Sequence, residues 1–165
     1  MDAGDVNARA WDQIMILIAS QRSGAHALAD HLMNAHDNDH VEIIEISGFM
    51  ADDLHGALSE AHAISKATRC THYLFSVSLN PPEDVIVTHE GFVEAADRVA
   101  STLGLSEQPR AIAIHEKQGR RHAHVVFSRI DAETMTAINL DLSRFDAAPL
   151  IAFIAAKETN YGTET

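Results

Sequence analysis

Three histidines, His115, His122 and His124, stand close enough along the chain to share one ion. They lie in the segment RAIAIHEKQGRRHAHVVFSRID, residues 110–131. Residues 111–115 and 122–130 both read as strands, and residues 116–121, with Gly119 at the turn, join them as a hairpin. Side chains two apart on a strand share a face, so His122 and His124 point the same way, and the hairpin sets His115 opposite or nearly opposite His122. Three neutral imidazoles held on strands make a divalent metal site with open positions; they suit Mn, Zn, Ni or Co, and Mg only weakly. A His-x-His pair alone is also what two solvent-facing strand histidines look like, and it is His115, at the end of the partner strand, that turns the pattern into chemistry.

Those strands need a sheet to hold them. A strand is expected over residues 14–20 and a helix over 24–34, where Ala27, Leu28, His31 and Leu32 fall at helical spacing. HDNDH follows as a loop, then a strand over 41–46. Residues 51–68 form a second helix with Asp52 or Asp53 near its start and Leu54, Leu58, Ala61 and Ile64 in its buried stripe. A strand over 73–79 stops at Asn80, Pro81 and Pro82. A third helix runs from Thr88 to the stop at Gly104, a short strand is expected at 137–142, and the apolar run 146–158 reads as a last helix. Strands that return through hairpins, with helices between them, predict an α+β domain on a mainly antiparallel central sheet.

Length and composition bound the rest. The chain of 165 residues is sized for one domain. Its single cysteine, Cys70, excludes a disulfide framework and fits a reducing, cytoplasmic setting. The apolar run at 14–19 is too short to insert in a membrane. A formal net charge of -12 argues against a general nucleic-acid binder. Arg110, Lys117, Arg120, Arg121 and Arg129 nevertheless gather in or beside the histidine hairpin, as expected where a phosphate is drawn to a cation. Arg22, in SQRSG after the first strand, is a further candidate for phosphate contact. His36, Asp37, Asp39 and His40 of HDNDH have metal-ligand chemistry but read first as a solvated loop.

The chain resembles the relaxase/mobilisation nucleases of conjugative and mobilisable plasmids, within the His-hydrophobe-His endonuclease superfamily. HEKQGRRHAHVVFSRIDAET looks like the family's third motif, with His115, His122 and His124 on its metal-ligand histidines; YLFSVSL with NPP is similar to its central strand, and GFVEAADRVASTLGL to the helix before the metal hairpin. The resemblance spans roughly residues 14–140. With a leader at 1–12 that lacks apolar period and a polar tail at 159–165, it gives a relaxase-like domain over 13–158. It also implies a metal-dependent strand-specific nuclease that cuts single-stranded DNA at a plasmid transfer origin by transesterification. Mn or Mg would be the cofactor, Zn, Ni or Co the other options, and relaxosome accessory proteins and a coupling protein the partners.

Departures from the family pattern shape the site. LADHLMN matches the helix that carries the nucleophilic tyrosine in most relatives, and the matching residue here is His31. A neutral imidazole can attack phosphorus to give a phosphoramidate, so the resemblance makes His31 the candidate nucleophile. Lys117 stands where relatives usually carry an acid, Arg121 where many have an uncharged turn residue and Ser128 where they have Asn; Glu116 is the candidate stand-in for the acid, as proton acceptor or partner to a ligand. Lys117, Arg120, Arg121 and Arg22 are the candidate DNA contacts. The alternative is an inactive relaxase-like domain that binds DNA or protein, favoured by the missing tyrosine and the acidic surface.

Overall fold

Apolar residues alternate along five of the chain's segments, and these pair into one sheet. The computed structural model describes residues 15–82, 85–142 and a short strand at Ala152–Phe153. The elements are β1 (Ile16–Arg22), α1 (Ala25–Leu32), β2 (His40–Ser47), α2 (Leu54–Ser65), β3 (Leu74–Asn80), α3 (His89–Leu103), β4 (Arg110–Lys117), β5 (Arg120–Ser128), β6 (Ile130–Asp131), β7 (Thr136–Ala137) and β8 (Ala152–Phe153). The sheet order is β2-β4-β5-β3-β1-β8, with β6 and β7 as a separate ribbon. All pairs in the main sheet are antiparallel except β1 with β8. The α+β class and the mainly antiparallel sheet are as expected.

The sheet has two unlike faces. On one, Leu17, Phe75, Val77, Leu79, Ile112, Ile114, Val125 and Phe127 pack against Phe92, Ala96, Val99 and Leu103 of α3, and this is the main core. Local chemistry fixes α3 at both ends: the Thr88 side chain accepts from the Gly91 N–H at 3.1 Å, and Gly104 closes the helix at φ 75°. On the other face α1 and α2 cover only one end, where Leu28, Leu32, Leu54 and Leu58 meet Leu74, Ala111 and Val126. Among the described residues, no helix covers the rest of that face.

Three expectations are corrected. Within the run 146–158, read as a helix, the described residues Ala152–Phe153 form a strand parallel to β1; the rest of that run, the leader at 1–12 and the tail at 159–165 lie outside the described residues. An unbroken apolar run suits a buried strand as well as a helix, and pairing with the β1 edge decides between them. The strand expected at 137–142 is only β7, two residues long. Arg22 belongs to β1 as its last residue rather than to the following loop. No helix among the described residues is long and apolar enough to cross a membrane.

Candidate metal and DNA site

A tight turn sets the register of the histidines. Gln118 and Gly119 both have positive φ, 55° and 75°, which is what a two-residue hairpin with mirror-image turn geometry requires. Asp39 holds the turn from outside: its N–H donates to the Glu116 carbonyl at 2.8 Å, and its carboxylate accepts from the Gln118 N–H at 2.7 Å. The part of HDNDH that matters structurally is therefore a clasp on the hairpin. With the turn fixed, His115 pairs with His122 and Ala113 with His124.

The three rings lean on one another, with centroids 4.5 Å apart for His115 and His124, 4.9 Å for His122 and His124, and 5.3 Å for His115 and His122. One nitrogen from each lies within 4.8 Å of the other two. His115 is buried, and its Nε2 lies 2.6 Å from the Leu32 carbonyl at the end of α1. A carbonyl can only accept, so Nε2 carries the proton and Nδ1 keeps its lone pair for an ion. Burial lowers the pKa of all three. Neighbouring imidazoles add to the effect at His122, which falls to about 4, and at His124, which falls well below the usual value and also feels His31 and Arg22. They are thus neutral at pH 7, the form that binds a divalent ion, and the donor set fits a borderline transition metal.

His31 in the last turn of α1 is exposed, and its ring stands edge-on to that of His124 with centroids 6.2 Å apart. Sequence distance hid this; it comes from packing of α1 on the sheet.

Strand parity then sorts the remaining candidates. The histidine face carries Ile18, Ser20 and Arg22 from β1, Ser76, Ser78 and Asn80 from β3, His122 and His124 with Arg120 from β5, and His115 with Lys117 from β4. No carboxylate from β1 to β5 points to this side. Glu42, Glu45 and Glu116 all lie on the α3 face, one residue out of phase with the histidines. A net charge of -12 is thereby kept off the site's floor.

The basic cluster is more divided than its sequence suggests. Arg110 turns to the α3 face, where it pairs with Glu45 and with Asp97 at 2.7 Å. Arg129 ties loops together, donating to Gln21 Oε1 at 3.1 Å and to the carbonyls of His72 at 2.7 Å and Ile138 at 3.0 Å. Both are structural, which corrects the reading of five cations around the metal site. Arg121 donates to the Val87 carbonyl at 3.1 Å on the α3 side. Lys117 and Arg120 remain beside the histidines, and the hairpin tip with Asn80, Pro81, Pro82 and Ile86 lines a cleft of about 300 Å³.

Sequence reasoning missed Ser78, directly across from His124, and Asn80, whose amide donates to the Ser78 hydroxyl at 2.9 Å and to the Ile16 carbonyl at 3.2 Å. Strand alternation in YLFSVSLN held that signal. It also missed the Leu32 carbonyl, which no side-chain motif could reveal.

A mainly antiparallel sheet thus carries three clustered histidines on its central strands, a donor set that could hold a divalent ion. A family model, relaxase, MobA/VirD2-like nuclease domain, matches residues 29–160, and the chain belongs to that family. Relaxases are DNA-nicking nucleases of plasmid conjugation that bind single-stranded DNA at the origin of transfer. No curated protein matches the chain.

Proposed function

We propose that this chain is an active relaxase that nicks one DNA strand at a transfer origin, with His31 as nucleophile and His115, His122 and His124 as metal ligands. The observation that supports it most is the nearness of an exposed imidazole on α1 to three neutral imidazoles on a face free of strand carboxylates. An ion in the triad would polarise the scissile phosphate and offset charge in the transition state. All-nitrogen donors favour Mn over Mg.

The chain's own residues do the rest. A ring nitrogen of His31 attacks phosphorus with its lone pair, forming a P–N bond as the P–O3′ bond breaks and its electron pair leaves with the 3′ oxygen. That oxygen takes up a proton, the imidazole gives up its remaining N–H proton, and a 5′ phosphoramidate and a free 3′ hydroxyl result. Arg22, Lys117 and Arg120 hold phosphates along the histidine face, while Arg121 is turned away to the Val87 carbonyl on the α3 side. Glu116 acts mainly through its carbonyl, as the anchor for Asp39. Accessory proteins and a coupling protein would present the site, in a cytoplasmic setting.

The test is a metal-dependent covalent adduct with single-stranded oligonucleotides from the replicon's transfer origin, read on a denaturing gel. The expected adduct is acid-labile, lost in His31→Ala and kept in Tyr73→Phe, because the Tyr73 hydroxyl is engaged by the Ala25 N–H at the start of α1. An adduct that survives His31→Ala, or none with any origin strand despite metal binding, overturns the proposal.

A further inference from the structure

We propose that His26, Asp30 and His55 form a second metal site, separate from the histidine triad, that takes a borderline transition ion such as Zn, Co or Ni. His26 and Asp30 are four residues apart on α1 and so lie side by side on one helix face; His55 comes from the first turn of α2. One donor atom from each lies within 4.8 Å of the others. His26 Nε2 is 3.3 Å from Asp30 Oδ2, and His55 Nε2 is 2.7 Å from Asp30 Oδ1.

The two imidazoles touch different oxygens of Asp30, so on binding one oxygen would turn to the ion and the donors would draw in from within 4.8 Å. Around a tetrahedral ion with bonds of about 2.0–2.1 Å, donors stand about 3.3 Å apart. The gap from His26 Nε2 to Asp30 Oδ2 already has that length. The shorter His55–Asp30 contact is a hydrogen bond that the ion replaces: Nε2 yields its lone pair to the metal, His55 binds as the Nδ1–H tautomer, and the pair opens by about 0.6 Å. The rings of His26 and His55 are 5.5 Å apart, and all three side chains are exposed enough for an ion to enter and for water to fill its fourth position. Two imidazoles and a carboxylate also give this site a negative charge that the triad lacks.

The effect falls on α1. That helix has eight residues, starts from Gly24 in the left-handed region and has no side-chain cap. An ion held by His26, Asp30 and His55 would clamp it to the start of α2 and steady its last turn. Only this consequence rests on the proposed role of His31; binding of the ion does not.

Tag-free protein stripped with EDTA and titrated with Zn in a calorimeter, and with Co by absorbance, tests the site. Two ions per chain are expected in the wild type and one in His26→Ala or His55→Ala. Asp30→Asn, which keeps the side chain's size, should weaken the second ion by about tenfold or more. His122→Ala/His124→Ala should retain one ion and still rise in melting temperature with Zn. A wild type that binds a single ion, or His55→Ala that still binds two, overturns the site. An intact second site in a protein that forms no DNA adduct would refute only the nuclease reading.

Discussion

Salt dependence of DNA binding tests the division of the basic residues most sharply. Parity leaves three cations on the histidine face, Arg22, Lys117 and Arg120, and sends Arg110 and Arg121 to the α3 side. Each phosphate contact on a single strand lowers the logarithm of affinity by about 0.7 per tenfold rise in salt, so three contacts predict a slope of roughly −2.1 and about a twentyfold loss of affinity between 50 and 200 mM. With Arg121 counted as a fourth contact the slope would be roughly −2.8 and the loss nearly fiftyfold. Fluorescence anisotropy of a labelled origin oligonucleotide in EDTA, at a pH where the histidines are neutral, separates the two. Arg120→Gln or Lys117→Gln should bring the slope to about −1.4, while Arg121→Gln leaves it unchanged. A slope that falls equally in Arg121→Gln and Arg120→Gln would refute the assignment of faces, as would one that no single variant changes.

Two further outcomes follow from the site. Below pH 6.5 the unfolded chain takes up a proton on His122, whereas the folded chain does so only near pH 4. Stability of the metal-free protein therefore falls as pH drops through that window and is insensitive to this group above it. The upper limit is about 1.4 kcal/mol per pH unit, roughly halved for a ring partly open to solvent. His122→Asn should flatten this dependence in thermal melts, and an identical pH slope in both proteins would refute it. Glu116→Gln should slow nicking by less than about tenfold, against the 10²–10⁴ expected of a general base, and a larger loss in single-turnover assays would restore the carboxylate to the mechanism.

Much of the fold was legible because its signals are local. Thr88 and Gly104 bound α3, Asp53 caps α2 by accepting from the Gly56 N–H, and Gly119 marks the turn that aligns His115 with His122. Glu116 reads as a stand-in acid, yet it sits one step out of phase with His115 and so on the other face of the sheet. The partners of Arg110 and Arg129 were not legible, because Glu45, Asp97 and Gln21 reach them only through tertiary packing. The same holds for His31, whose helix meets the sheet through Leu28 and Leu32, contacts that helical spacing permits without saying against what. Parallel pairing of β8 with β1 overrode an apolar run that periodicity could not resolve.

The bond from His115 to Leu32 has a genetic consequence. Its acceptor is a main-chain oxygen, so Leu32 could become methionine or isoleucine with the bond intact, and a side-chain scan would register nothing at that position beyond packing. What inheritance must preserve there is where a helix stops. A one-residue slip at the end of α1 would turn the His115 ring and carry off the neighbouring His31 together, so the proposed ligand geometry and the proposed nucleophile would fail as a single trait. Replacing that one amide with an ester, which weakens the carbonyl as an acceptor without touching any side chain, would expose a dependence that codon substitution hides.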